Sequence, residues 1–168
     1  MNAMVIVFFV VIFLGATMFL FMISRTVDTI SQDEYMNMYT NNLLITLLRT
    51  DTGFESQECK TMSDIAFYGL LYKDSCRSRC GLPVDCLDFL REKINNVYLS
   101  SDASKLSFNR IEYNYLLTFS IGGSSSKESF GDESLNVVKK QKWSAEANQL
   151  KMGSMGLNAK LIVAKNEA

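Results

Sequence analysis

The residues with the most chemistry in them are four cysteines, Cys59, Cys76, Cys80 and Cys86, gathered in one short stretch of the chain. Thiols placed this way have two ordinary uses: oxidation in pairs to disulfides, or ligation of a thiophilic metal as thiolates. An even count in a short span is the arithmetic of a two-bridge framework, and all three pairings are open. A tetrathiolate zinc site usually carries close C-x2-C knuckles. Here three residues separate Cys76 from Cys80 and five separate Cys80 from Cys86, so disulfides are the better reading.

Other reactive constellations are thin. The 168 residues include no histidine, which removes the commonest general base and the commonest neutral metal ligand. Asp33-Glu34 and Asp132-Glu133 are paired carboxylates with no base beside them and no second acidic pair at a fixed spacing, the composition of solvated surface. Gly122-Gly123 and the serines after them lack the G-x-x-x-x-G-K-[ST] pattern of a phosphate cradle. Lys139, Lys140 and Lys142 beside Trp143 imitate the basic and aromatic mixture of nucleic-acid binders, and Arg77 and Arg79 add charge in the cysteine stretch. With 17 basic against 18 acidic residues and a formal charge of -1, there is no electrostatic reason to expect a nucleic-acid partner. No catalytic residue, cofactor or metal site is expected, and the chain reads as something other than an enzyme.

The elements that would position the cysteines begin far upstream. No side chain from Met1 to Ser24 is charged, and Met4 to Ile23 is almost wholly Val, Ile, Phe, Leu and Met. Twenty helical residues span about 30 Å, the hydrocarbon thickness of a bilayer. A secretory signal would place basic residues before a shorter run and a small-x-small site after it. Met1-Asn2-Ala3 has no Lys or Arg, and Gly15-Ala16-Thr17 lies deep inside the run, so the segment is expected to be retained. Oxidised cysteines would put everything after Arg25 outside the cytoplasm.

From Ser24 to Thr50 there is neither Gly nor Pro, while Met36, Tyr39, Leu43 and Leu47, with Leu44 and Leu48, recur at helical spacing. One helix is therefore predicted from about Ala3 to Arg49, ended at Asp51-Thr52-Gly53. Thr61 to Asp64 resembles a helix cap before a stripe of Ile65, Tyr68 and Leu71 or Tyr72. The cysteine-bearing segment from Asp74 to Gly81 reads as a loop. Pro83 is placed in the first turn of a second helix, whose stripe is Val84, Leu87, Leu90, Ile94 and Val97. Beyond Ser100 the period becomes two: Ile111, Tyr113, Tyr115, Leu117, Phe119 and Ile121 alternate with Glu112, Asn114, Leu116, Thr118 and Ser120. Gly122 to Glu133 reads as an exposed loop, and Leu135 to Trp143 and Leu157 to Ala164 as further strands. The expected fold is α+β. A long N-terminal apolar and amphipathic helix over 1–50, apolar over 1–24, leads into a disulfide-stapled head over 51–168 with two helices and an antiparallel sheet of about three strands.

An apolar N-terminal helix that continues as an amphipathic one into a small disulfide-containing head resembles type IV pilins and pilin-like proteins. The resemblance covers mainly Met1 to about Thr50 and is one of architecture. Bacterial members typically carry a glutamate at the fifth mature position within F-T-L-I-E, where this sequence has Val5. Archaeal pilins generally lack that glutamate, so the chain looks more like the archaeal branch. The resemblance implies a cell-surface filament, membrane-anchored before assembly, whose partners are copies of the chain itself. Its core would be built from Met4, Val5, Val7, Phe8, Val11, Ile12, Gly15, Phe19 and Met22. Met1, Met4, Met18 and Met22 suit such a bundle, because flexible thioethers fill irregular gaps between helices. A single-span anchored ectodomain that binds a surface partner is the alternative.

Overall fold

The computed structural model describes residues 3–95, 113–137, 141–152 and 155–165, and the side chains of these except 3–10 and 26–29. The fold is α+β, with a long apolar N-terminal helix, further helices, a four-stranded antiparallel sheet and two disulfides. The chain divides into two compact units, Met1–Met36 and Asn37–Ala168.

Helix α1 runs Ala3–Arg49 without interruption, as the absence of Gly and Pro between Ser24 and Thr50 predicts. In its last turns Thr40, Leu44, Leu47 and Leu48 are buried, whereas Tyr39 and Leu43 are only half-buried. The apolar stripe is thus rotated slightly from the one read in the sequence, because Thr40, a polar residue, lies at its centre. Past the helix, Asp51 forms an isolated β-bridge with Thr61, and Gly53 has a positive φ.

Helix α2, Met62–Leu71, opens with the predicted cap. Thr61 and Asp64 form a reciprocal capping box, side chain to backbone in both directions. Its buried face is Met62, Ser63, Ile65, Ala66, Phe67, Gly69 and Leu70, wider than the expected stripe, and Tyr68 is only half-buried. The Asp74 to Gly81 segment is not a plain loop: Cys76–Cys80 forms a short helix, α3, closed by Gly81. Helix α4, Cys86–Lys93, is capped by the Asp85 carboxylate, which accepts from the Leu87 amide at 2.8 Å. Pro83 therefore precedes the cap and is not in the first turn, and Val84 is exposed. Val97 and Tyr98 lie outside the described residues, as do Ile111 and Glu112. Gly69 of α2 faces α4. A Cβ there would meet Cys86 Cβ at 3.2 Å and Leu87 Cδ2 at 3.1 Å, so the missing side chain lets the two helices approach.

The sheet comprises β1 (Tyr113–Ile121), β2 (Lys127–Gly131), β3 (Lys142–Met152) and β4 (Met155–Lys165) in the order β2-β1-β4-β3, all antiparallel. Four strands stand where about three were expected. Five residues of the Gly122–Glu133 stretch pair with β1 as an edge strand, held by backbone bonds and one inward aromatic, Phe130. The expected strand from Leu135 to Trp143 is also displaced. Glu133–Asn136 is a 3-10 turn and the strand begins at Lys142; its inward residues after Trp143 are Ala145 and Ala147, too weakly apolar to mark a strand by pattern.

The alternation of β1 places Tyr113, Leu117, Phe119 and Ile121 on one buried face, opposite Leu161, Ala159 and Leu157 of β4. Helix α2 covers this sheet at β1 and β4. On the reverse face Leu116, expected among the solvated residues, is buried with Ile162, Ala164 and Leu135 of the 3-10 turn. Gly131 lets the end of β2 lie close against Tyr115 of β1. Its φ is +103°, and a Cβ there would strike the Tyr115 carbonyl oxygen and ring. Gly131→Ala is expected to destabilise the head by about 2–3 kcal/mol, read as a lower urea midpoint.

Candidate functional site

Two features stand out, and they lie on different parts of the chain. The first is the surface of α1. Every described side chain from Val11 to Ile23 is exposed, with Phe13 70 % and Met18 66 % accessible. Of the residues expected to build an assembly helix, Val11, Ile12, Phe19 and Met22 are on this bare surface, and Gly15 has open space around it. Met4, Val5, Val7 and Phe8 belong to the same helix, with side chains outside the described ones. The one hydroxyl in the run, Thr17, bonds back to the Leu14 carbonyl at 2.9 Å, which removes its need for water. Arg25 marks the end of the apolar surface, with its guanidinium 4.8 Å from the Phe21 ring. By length and composition this helix can cross a membrane.

The second feature is the cysteine cluster. Cys59 pairs with Cys80 and Cys76 with Cys86, so the two bridges interleave along the chain. Their Cα separations of 5.5 and 6.1 Å lie in the ordinary range. Together they bind α3 and the 3-10 turn Gln57–Cys59 to the start of α4, and all four sulfurs belong to buried residues. The bridges are also close to each other: Cys80 Sγ lies 3.7 Å from Cys76 Sγ and 3.9 Å from Cys86 Sγ. Disulfides are consistent with an extracellular location of the head, and an apolar N-terminal helix with a membrane anchor or signal.

A third constellation has no signature in the sequence because its members are far apart there. Lys151 of β3 donates to Ser63 Oγ at 2.8 Å and to Asp64 Oδ1 at 2.6 Å. A serine beside a lysine can be a nucleophile with its base. Here the ammonium is a donor to both partners, Ser63 is 2 % exposed, and its hydroxyl is also shared with Thr61 Oγ1 at 2.9 Å. The arrangement works as a pin between the N-terminus of α2 and the β3 edge. Arg91 does the same at the other edge, tying α4 to Glu128 of β2 at 2.9 Å. Asp64→Ala is expected to cost about 2–3 kcal/mol, since it removes the Asp64 half of the capping box and strands a largely buried ammonium. Lys151→Met should cost less, about 1–2 kcal/mol, because Asp64 keeps its cap. Urea midpoints of the two variants test the order.

No family model, curated protein or solved structure matches this chain.

The remaining sequence candidates take ordinary places. Trp143 is buried edge-on to Tyr113 at 5.9 Å, so its ring is not available to stack on a base. Lys142 is exposed, and Lys139 and Lys140 lie outside the described residues. Arg79 pairs with Glu58 at 3.7 Å and lies over Tyr72, whose ring stacks on Tyr68. Asp132 caps its 3-10 turn and accepts from Asn114.

Two tyrosines respond to this packing. Burial pushes the Tyr115 hydroxyl, which donates to Asn95 Oδ1 at 2.8 Å, above its ordinary value of 10.0. Burial first, and then the charge of Glu58, raises Tyr68 in the same direction. A raised folded value favours the neutral phenol in the folded head. The associated stability is complete below about pH 10, the unfolded value, and is lost as pH rises through the higher folded values. Urea midpoints are expected to be flat between about pH 7 and 9 and to fall above about pH 10, with the fall reduced in Tyr115→Phe.

Proposed function

We propose that this protein is the structural subunit of an extracellular filament resembling a type IV pilus, with α1 of each copy bundled in the filament core and the heads outside. The observation that carries this reading is the bare, uncharged surface of α1 from Val11 to Ile23, continuous in one helix with residues buried in the head unit. That much apolar surface is not left in water. Lipid or copies of the same helix must cover it. Copies are favoured by the methionines at Met1, Met4, Met18 and Met22, which adapt to irregular helix contacts, and by the pilin-like arrangement of helix and head.

Before assembly the same helix holds the subunit in a membrane, with the oxidised head on the outer side. The archaeal branch fits best, because the apolar run from Met4 to Ile23 contains no glutamate, the residue a bacterial subunit carries in that run. The protein's role is structural, and its partners are other copies of itself. Electron microscopy of material purified from its native source tests this directly. Filaments of uniform diameter containing only this chain are the expected result. Isolated particles that require detergent would instead make it a single-span anchored ectodomain.

A further inference from the structure

The sheet ends in β2 on one side and β3 on the other. In an antiparallel ladder the backbone N–H and C=O of alternate residues point to opposite neighbours. The bonds from the Gly122 amide to the Gly156 carbonyl and from the Asp132 amide to the Tyr115 carbonyl fix that alternation across the sheet. Even-numbered residues of β1 bond β4 and odd-numbered ones bond β2. Ala145 and Ala147 of β3 then bond β4, and the backbone groups of Ser144, Glu146, Asn148 and Leu150 point outward. On β2 the outward groups are those of Lys127 and Ser129. Among the described residues no backbone hydrogen bond reaches the outward groups of Lys127, Ser129, Glu146 or Asn148. Lysines and an irregular step, which guard an edge against strand addition, stand only at the ends of β3: Lys142, Lys151 and the shift between Leu150 and Met152.

We infer that β3 of one copy takes β2 of a second copy as its next strand, so that neighbouring heads share one sheet. The inference rests on the filament reading and names the contact between heads. Strand polarity supports it. Three antiparallel steps separate β2 from β3, so the two run in opposite directions within a head. Copies that share an orientation, as neighbours along a filament do, therefore bring β3 and β2 together antiparallel. The contact is heterologous and leaves an edge for the next copy at each end. The side chains agree as well. Glu146, Lys160, Thr118 and Ser129 form one row across the sheet, and Asn148, Asn158, Ser120 and Lys127 form the next. With Asn148 opposite Lys127 and Glu146 opposite Ser129 of the second copy, both rows continue unbroken across the join. The Lys127 ammonium then meets the Glu146 carboxylate on the diagonal, within reach of a cross-strand pair. On the other face Ala145 and Ala147 fall opposite Phe130 and Glu128, small beside large. Leu150, 82 % exposed in the single chain, is covered by the turn that precedes β2 of the second copy.

The test is amide-resolved hydrogen exchange on the full chain, as filaments and as subunits dispersed in detergent. The amides of Lys127, Ser129, Glu146 and Asn148 are expected to exchange fast in the dispersed chain and about a hundredfold or more slower in filaments. Those of Ala145 and Ala147, already in the ladder to β4, should be slow in both. Asn148→Pro removes one outward N–H and leaves the β4 ladder intact, so the urea midpoint should stay near wild type while assembly falls by about tenfold or more. Glu146→Lys should also weaken assembly. Adding Lys127→Glu should restore it, although the exposed pair between Glu146 and Lys160 within the head is still lost. Filaments whose four outward amides exchange as fast as in detergent would overturn the inference and leave the filament reading standing. Slowing confined to Glu146 and Asn148 would overturn it too, because β3 would then pair with another β3. Normal assembly of Asn148→Pro has the same force. A wild-type chain that yields no filaments removes the filament reading and this contact with it.

Discussion

Phe19→Asp is expected to abolish filament formation while leaving the head folded. Phe19 is 65 % exposed on a helix with no charged residue before Arg25, so in a bundle its side chain enters an environment with neither water nor a counter-charge. An unpaired carboxylate there costs several kcal/mol in every subunit, and a polymer multiplies that cost along its length. Phe8→Asp, on the same helix, should behave alike. Membrane insertion tolerates one such charge better, because a side chain near the bilayer centre costs about 2.5–3.5 kcal/mol and a single helix can shift or thin the lipid around it. The informative outcome is therefore a mutant chain present in the membrane fraction, with native near-ultraviolet circular dichroism, and no filaments in micrographs. Normal polymerisation of the mutant, or a wild-type chain recovered only as lipid-embedded monomers, would falsify the filament reading in favour of an anchored ectodomain.

Loss of the bridges has the second large effect. Each closes a loop of 21 or 10 residues, a constraint on the unfolded chain worth about 3 kcal/mol, slightly more for Cys59–Cys80 than for Cys76–Cys86. The double variant Cys59→Ser/Cys80→Ser is expected to lower the unfolding free energy of the oxidised head by about that amount. Removal of all four cysteines should cost about 5–6 kcal/mol, comparable to the whole stability of a small domain, and leave the head largely unfolded. Single variants should give a different result. In Cys59→Ser the freed Cys80 thiolate lies beside both sulfurs of the remaining bridge, so exchange to Cys76–Cys80 or Cys80–Cys86 is expected within one molecule. Peptide mapping of the oxidised variants without reductant detects each pairing. Four alkylatable thiols in denatured, unreduced wild-type protein isolated from its native source would contradict the bridges altogether.

Where composition and spacing act locally, the amino-acid sequence by itself determined the structure. The run from Met4 to Ile23 leaves a helix no polar side to choose, and the absence of Gly and Pro up to Thr50 lets α1 continue to Arg49. Thr61 and Asp64 are three residues apart, the reach of a reciprocal cap, so the start of α2 was legible as well. The alternation of β1 and the apolar run of β4 mark strands whatever they pair with. The four cysteines announce a cross-linked or metal-binding cluster by count alone.

Only the tertiary structure decided the rest, because it depends on which distant residues become neighbours. Five residues of a Gly- and Ser-rich stretch become β2 because β1 offers them a hydrogen-bonding edge, and nothing in Lys127 to Gly131 shows that partner in advance. Leu116 changes from a solvated position to a buried one because Leu135, nineteen residues later, folds over the reverse face of the sheet. Lys151 meets Ser63 and Asp64 across a separation of nearly ninety residues. The choice of Cys59–Cys80 and Cys76–Cys86 from three possible pairings follows from the helical turn of α3, which sets Cys76 and Cys80 side by side and directs each to a different partner.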